Sequence, residues 1–365
     1  MEDRIRKTKQ KISRDRIDAL YITSPYNISY LTNLFPSNVE EREFYIFITK
    51  DNAYLLAPKM FLMSIQEKTD GFTYIEITAA KGLYKNLLAI CTRENIKSVG
   101  FEEQNLLYKE FEHLHDALAG VELIPLEDFI EDERQIKKDD EIERIKKACE
   151  ITDVCYEGVL DKIAAGVTER EIASGIEFYF NQFGGNAFRP IVAFGKNAAV
   201  PHHISDDTVL KRDSFVLLDF GAKFEGYCAD MSRTVYFGNP SEEEKKMYRT
   251  VLESQEVAIA KLQEWQDKSF QASHLHEIAE SHIEQNGYPQ IPHSLGHGVG
   301  LQVHELPSIS KYTQGNPLKK GIVITIEPGI YIPGVGGVRI EDDILLTEDG
   351  FEVLTQSRKQ LTVIE

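Results

Sequence analysis

Apolar and polar positions along the 365 residues fall into short alternating runs and longer helical repeats. An amphipathic helix over Glu2–Asp18 leads into the apolar run Ala19-Leu20-Tyr21-Ile22-Thr23, which reads as a first strand. Glu43–Thr49 and Ala53–Ala57 flank Lys50-Asp51-Asn52 and predict a hairpin. Strands at Tyr74–Ile77 and Ser98–Phe101, helices at Ala79–Thr92 and Lys109–Leu118, and an edge strand at Val121–Pro125 follow. Strands alternating with helices describe a small α/β domain. His113 and His115 stand two apart on one of its helices, so they point to different faces and read as solvated.

The densely charged stretch Ile130–Glu143 reads as a linker and the start of the next helix, which sets expected domains at 1–128 and 135–365. Ile142, Ile145, Ile151, Val154, Leu160 and Ile163 repeat at helical spacing up to Gly166. Thr168-Glu169-Arg170-Glu171 matches a capping box that opens a helix to about Phe183. A strand at Pro190–Phe194, a loop with His202 and His203, and an apolar hairpin from Phe215 to Phe237 come next. Then the order repeats. Ser241-Glu242-Glu243-Glu244 caps a helix with Met247, Val251, Ile259 and Leu262 inward, and Ala272–Glu284 is a further helix. His274, His276 and His282 read as decoration of its solvated face. A Gly-rich stretch with His297 precedes a second hairpin: strand Ile322–Glu327, turn residues Pro328–Gly337, strand Val338–Leu346. Two helices and a hairpin therefore occur twice, which predicts an internal duplication whose halves close on one site.

Both hairpins carry acids where apolar residues belong. Folding the first about Phe224-Glu225 sets Asp219 opposite Asp230, and folding the second about Gly334 sets Glu327 opposite Glu341. Facing carboxylates repel, and a buried anion is costly without a compensating cation. The plain alternative for one such acid is a strand edge or a turn, which does not account for two mirrored pairs. Arg233 lies just beyond the first pair, and no Lys or Arg stands inside either strand to compensate it; a divalent metal would. His297, between Gly296 and Gly298, adds an unobstructed imidazole. Four carboxylates balance two divalent cations, and oxygen-dominated ligation favours manganese or cobalt over a thiolate-type zinc site. Two ions about 3.5–4 Å apart can bridge a water, lower its pKa and polarise a carbonyl. That is hydrolytic chemistry.

A formal net charge of −18 argues against nucleic acid or an anionic membrane as the main partner. The four cysteines form no Cys-x-x-Cys pair, and Cys149 and Cys155 read as small core residues on a helix. The charged N-terminus has no signal-peptide core, and no apolar run approaches the ~18 residues of a membrane span, so a cytoplasmic protein is expected.

The motifs Leu218-Asp219-Phe220-Gly221, Ala229-Asp230-Met231-Ser232-Arg233-Thr234, His293-Ser294-Leu295-Gly296-His297-Gly298, Ile326-Glu327-Pro328-Gly329 and Val338-Arg339-Ile340-Glu341-Asp342 resemble, in order, those of the pita-bread metallopeptidases. That family includes methionine aminopeptidase, aminopeptidase P and prolidase. The resemblance implies an α+β chain: a C-terminal pita-bread domain, creatinase/methionine aminopeptidase-like, preceded by a smaller creatinase-type α/β N-terminal domain. It also implies two divalent ions, manganese first, with cobalt, zinc or iron as alternatives, on Asp219, Asp230, His297, Glu327 and Glu341. Glu327 would double as general base. His202, in Val200-Pro201-His202, and His304, in Val303-His304-Glu305, resemble the family's substrate-binding and proton-handling histidines. The plain alternatives are a surface-loop imidazole and a satisfied core histidine. His203 is read as a neighbour only, and Arg339 as a group that orients Glu341 or an adjacent acid.

The implied substrates are small peptides with proline second, and the implied assembly is a homodimer. An X-Pro bond is a tertiary amide with no N–H for ordinary peptidases to hold. Several dipeptidase-type relatives carry an arginine soon after the second histidine, suited to a dipeptide's carboxylate. Here Leu306-Pro307-Ser308 follows, so an Xaa-Pro aminopeptidase is expected ahead of an Xaa-Pro dipeptidase, with tripeptides cleaved at least as well as dipeptides; an Arg339 that swung toward the site would supply the missing charge and reverse that order. The rival of another class is a catalytically dead pita-bread protein that binds peptides or proteins, against which the five intact ligands argue.

Overall fold

In the computed structural model, which describes residues 2–35, 41–65 and 69–365, each expected strand finds a partner. The chain divides into two units, Met1–Arg134 and Gln135–Glu365.

In the first unit a six-stranded mixed sheet runs in the order Thr73–Ile77, Ala53–Pro58, Tyr45–Thr49, Ala19–Ile22, Ser98–Glu102, Glu122–Leu126. The hairpin about Lys50-Asp51-Asn52 forms with Tyr45–Thr49 antiparallel to Ala53–Pro58, and Glu122–Leu126 is an edge strand. Tyr21, Phe47, Leu56 and Val99 pack with Leu87 and Leu114 of helices Leu83–Arg93 and Tyr108–Ala117 into one apolar core. His113 and His115 are exposed. Helices Pro25–Thr32 and Lys59–Ile65 were not expected. The first is opened by Ser24, whose side chain accepts from the Asn27 N–H, with Pro25 in the first turn.

The second unit is built twice over. Helices Asp139–Leu160 and Glu169–Phe180 pack Tyr156, Ile176 and Phe180 against Val192, Val216, Leu218 and Val235 of a four-stranded sheet. Helices Glu242–Lys261 and Ser273–Gln285 pack Val251, Ala258 and Leu275 against Ile324, Ile326, Ile344 and Leu346 of a five-stranded sheet. Thr168 and Ser241 cap their helices through the predicted boxes. All four cysteines are buried free thiols. No helix among the described residues is long and apolar enough to cross a membrane.

Three local expectations are corrected. The helix over Asp139–Leu160 stops before Gly166, and Val154 is exposed, because only one stripe of it faces the sheet. His276 is buried rather than solvated, since it shares the inward face of its helix with Leu275, Ala279 and Ile283 and lies 3.4 Å from Glu280. The turn-rich stretch Pro328–Gly337 holds a short strand, Gly329–Ile332, paired as a ribbon with Gly336–Arg339, so the expected strand Val338–Leu346 is split and resumes at Asp342–Thr347.

Arg233 is the largest fully buried side chain. Its guanidinium donates to Asp342 Oδ1 at 2.6 Å, to the Ser357 carbonyl at 2.8 Å and to the Ser232 and Glu341 carbonyls. It therefore stitches the two hairpins together through the backbone. Asp342 keeps a second cation, Lys359 Nζ at 2.7 Å, so removing Arg233 costs its charge-assisted hydrogen bonds, about 1.5–3 kcal/mol each, rather than orphaning a buried charge. Arg233→Met is expected to lower the denaturant midpoint accordingly; an unchanged midpoint on urea titration would count against this role.

Candidate metal centre and substrate cavity

The first acid pair is set by a turn. Glu225 and Gly226 both have positive φ (43° and 86°), the signature of a two-residue hairpin turn, so Phe224 pairs with Tyr227 and Lys223 with Cys228. Carried back along the chains, that register puts Asp219 opposite Ser232, not opposite Asp230 as expected. The turn lies one residue later than the expected fold point, which moves each partner by two. A shift of two keeps every side chain on its face, whereas a shift of one would have turned it over. Asp230 thus becomes the diagonal neighbour of Asp219 on the same face. Ligand-type oxygens of Asp219, Asp230 and Glu341 lie within 4.8 Å of one another.

The second pair follows the expected register. Ile326 pairs with Asp342 and Gly329 with Arg339, so Glu327 and Glu341 come level between the two ladders. Ligand-type atoms of Glu327, Glu341 and His297 again lie within 4.8 Å of one another. His297 reaches them because its strand presses against its neighbours: a Cβ on Gly296 would sit 1.9 Å from the Thr325 carbonyl oxygen, and one on Gly298 2.1 Å from that of Leu306. His297 Nδ1–H donates to the Gly298 carbonyl at 3.1 Å, which leaves Nε2 facing the acids, a donor to Glu327 when the ring is protonated and a lone pair for a cation when it is neutral. That atom lies 3.3 Å from Glu327 Oε1 and 3.6 Å from Asp230 Oδ2.

The acids are held by Arg339 and by two groups that the sequence reading passed over. Ser232 Oγ donates to Glu341 Oε2 at 2.7 Å and accepts from Arg339 Nε at 2.8 Å. Thr325 Oγ1 donates to Glu327 Oε1 at 3.3 Å and accepts from the His297 N–H at 3.1 Å. Arg339 Nη2 donates to Asp219 Oδ2, and Nη1 to Tyr331 Oη at 2.9 Å and to the Pro201 carbonyl at 3.4 Å. Of the acids, Arg339 contacts Asp219 directly and reaches Glu341 only through Ser232. Ser232 stands inside the Ala229–Thr234 motif and Thr325 two before Glu327 on the same strand face, so strand alternation could have pointed to both.

Burial, and then the charges of neighbouring carboxylates, push Asp230 and Glu341 well above the usual carboxylate range. Burial also raises Asp219, with Arg339 opposing. For Glu327 burial acts upward too, but hydrogen bonding to His297 and its charge outweigh it, and the pKa lies below normal. Asp219 Oδ1 is buried with no hydrogen-bond partner. Crowded acids, an orphaned carboxylate oxygen and an imidazole lone pair aimed at them are what a divalent cation satisfies, so these residues fit a metal centre.

The cluster floors a cavity of about 410 Å³. His202, His304, His293 and Arg339 line it beside Phe188 and Ile191, which give it an apolar wall. The His304 ring stands edge-on to His297, with centroids 4.3 Å apart. His293 Nε2 lies 2.9 Å from Tyr331 Oη. Beside His304, Glu305 is anchored by Lys137 Nζ at 2.8 Å, both side chains being buried.

Comparison with known proteins agrees with this geometry. Residues 143–348 match the model of metallopeptidase family M24, and residues 4–136 match the Creatinase/Prolidase N-terminal domain. An uncharacterized peptidase of Staphylococcus aureus is 39% identical over 368 residues, covering 98% of this chain and 99% of its own. Among solved structures, the Xaa-Pro dipeptidase from Bacillus anthracis is 31% identical with a TM-score of 0.90, over 100% of this chain and 99% of its own. The prolidase from Pyrococcus horikoshii is 35% identical with a TM-score of 0.89, over 99% of this chain and 100% of its own. The X-Pro aminopeptidase from Thermotoga maritima is 32% identical with a TM-score of 0.86, over 97% of this chain and 100% of its own. The chain therefore belongs to the pita-bread metallopeptidases of family M24, a metallo-exopeptidase with a creatinase-type N-terminal domain.

Proposed function

We propose that the protein is an Xaa-Pro dipeptidase, cleaving the bond between an N-terminal residue and the proline that ends the substrate. The observation that carries this reading is Arg339. Among the described residues that line the cavity, it alone bears a fixed positive charge. The sequence reading looked for that charge after His304, found none, and leaned to an aminopeptidase. Arg339 reaches the cavity from the other hairpin; Ser232, Tyr331, the Pro201 carbonyl and Asp219 take four of its five N–H groups, and the fifth, on Nη2, is what a dipeptide's carboxylate would meet there. The likeness to the Bacillus anthracis dipeptidase and the Pyrococcus horikoshii prolidase supports the same choice.

Asp219, Asp230, His297, Glu327 and Glu341 would hold two divalent ions, proposed to be manganese, with cobalt, zinc or iron as alternatives. Bound there, such ions supply Lewis acidity toward a carbonyl and a water of lowered pKa. Glu327 takes the proton of the attacking water, a role suited to a carboxyl held ionised beside His297. His202 and His304 bind the substrate and hand protons across the scissile bond. Phe188 and Ile191 give the proline ring an apolar surface and keep bulk water off it. A cytoplasmic homodimer is the proposed setting, carried over from the charge pattern and the family resemblance.

A second reading, Xaa-Pro aminopeptidase, is favoured by an open cavity of about 360 Å³ lined by Leu306, Pro307 and Tyr312, which shares Ser308 with the first and could take a longer chain. Comparing Ala-Pro, Ala-prolinamide and Ala-Pro-Ala separates the two. Loss of a charge-assisted contact of about 1.5–3 kcal/mol predicts roughly a tenfold to hundredfold lower kcat/KM for the amide and the tripeptide. Equal or better cleavage of the tripeptide would replace the dipeptidase reading with the aminopeptidase one.

A further inference from the structure

We propose that His203 and Glu169 act together as the positioning device for His202, an inference that rests on the reading of His202 as a substrate-binding histidine. His202 is itself exposed, on a loop between two clamps. Just before it, the Pro201 carbonyl accepts from Arg339 Nη1 at 3.4 Å. Just after it, His203 Nε2 lies 2.7 Å from Glu169 Oε2. Glu169, the first residue of its helix, has a fully buried side chain (0% exposed), and a buried carboxylate needs donors. It has four. Oε1 accepts from the Phe194 N–H at 2.7 Å and from Asn197 Nδ2 at 2.9 Å. Oε2 accepts from His203 and from the Asp206 N–H at 3.1 Å.

All four donors belong to the strand end and loop that carry His202. The carboxylate can only accept, so Nε2 of His203 bears the proton. One buried group thus ties the helix start to both limbs of the loop, and His202 projects from the segment between. Glu169, His203 and Asp206 also bring three ligand-type atoms within 4.8 Å of one another. A cation there would have to displace hydrogen bonds that already occupy both Glu169 oxygens, so the geometry points to an anchor rather than a second metal site. In the sequence His203 looks like a spare neighbour, because its partner lies 34 residues away.

The test is a double-mutant cycle on the full-length, metal-loaded enzyme with an Xaa-Pro dipeptide, read as kcat and KM with metal content and melting temperature alongside. Misplacing a substrate-holding group by about an ångström can cost up to 10²-fold, so His203→Ala is expected to lower kcat/KM by roughly tenfold or more at unchanged metal content. If His203 acts through His202, the effects do not add: His202→Ala/His203→Ala is expected to be no slower than His202→Ala alone. His203→Gln, whose amide N–H reaches the same carboxylate, is expected to keep most of the activity. A double mutant whose losses multiply, or His203→Ala at wild-type kcat/KM, overturns the proposal. Should His203→Ala fail to fold, Glu169→Gln, which keeps the shape but removes acceptors, carries the same cycle. His202→Ala at full activity would instead overturn the reading of His202, and the proposal with it.

Discussion

Glu327→Gln is expected to lower kcat on an Xaa-Pro dipeptide by about 10³-fold, the scale of a positioned general base. Glutamine keeps the volume and the strand, but an amide cannot take a proton from water and is a weaker ligand. Glu327 Oε1 is placed for both tasks, 3.3 Å from His297 Nε2 and within reach of Thr325 Oγ1. Both partners are supplied by backbone that cannot easily retreat, since Gly296 lies against the Thr325 carbonyl. Rate and metal content should be measured on the same sample. Near-normal turnover in this variant would remove Glu327 from the base role.

Asp230→Ala and His297→Ala are expected to lose metal as well as rate, by at least about 10-fold in affinity, since even outer-shell partners of metal ligands are commonly worth 10–100-fold. Asp230 is buried beside Asp219 and Glu341 and is held above the normal carboxylate range by burial and by their charges. Its removal relieves repulsion in the unloaded protein, so the apo form should be no less stable, while the metal-loaded form gains less from added ion. Thermal melts with and without manganese, together with metal analysis after dialysis, read this directly. Full metal occupancy in both variants would show that the ions sit elsewhere.

Much of this site was legible in the sequence, because the signal was a contradiction: acids inside strands whose other positions are apolar. Asp219, Asp230, Glu327 and Glu341 stand out for that reason, and in the second hairpin even the register followed from Gly334. The first hairpin's register was missed by two because Glu225 was not credited with a positive φ, a conformation rare for a residue with a side chain. The face survived the error because the strand period is two. Helix Lys59–Ile65 escaped because its residues are apolar nearly all round and show no helical stripe.

Long-range partners were the larger loss. Arg339 was read as an orienter of acids that would upset the aminopeptidase reading only by swinging into the site; its place in the cavity wall comes from the strand it occupies opposite Gly329. That single placement moved the reading from an aminopeptidase toward a dipeptidase. His276 was misjudged for a related reason: histidine carries no fixed polarity, and only the positions of Leu275, Ala279 and Ile283 around it decide which face it takes.

The central claim is that the five side chains hold two divalent ions that Xaa-Pro hydrolysis requires. Its most direct test is to strip the purified protein with a chelator, titrate manganese back, and follow bound metal and Xaa-Pro dipeptide hydrolysis together. The account predicts no hydrolysis in the stripped protein and recovery that saturates at two ions per chain. Hydrolysis that persists after complete stripping, or a protein that takes up no divalent metal under any loading, would contradict it.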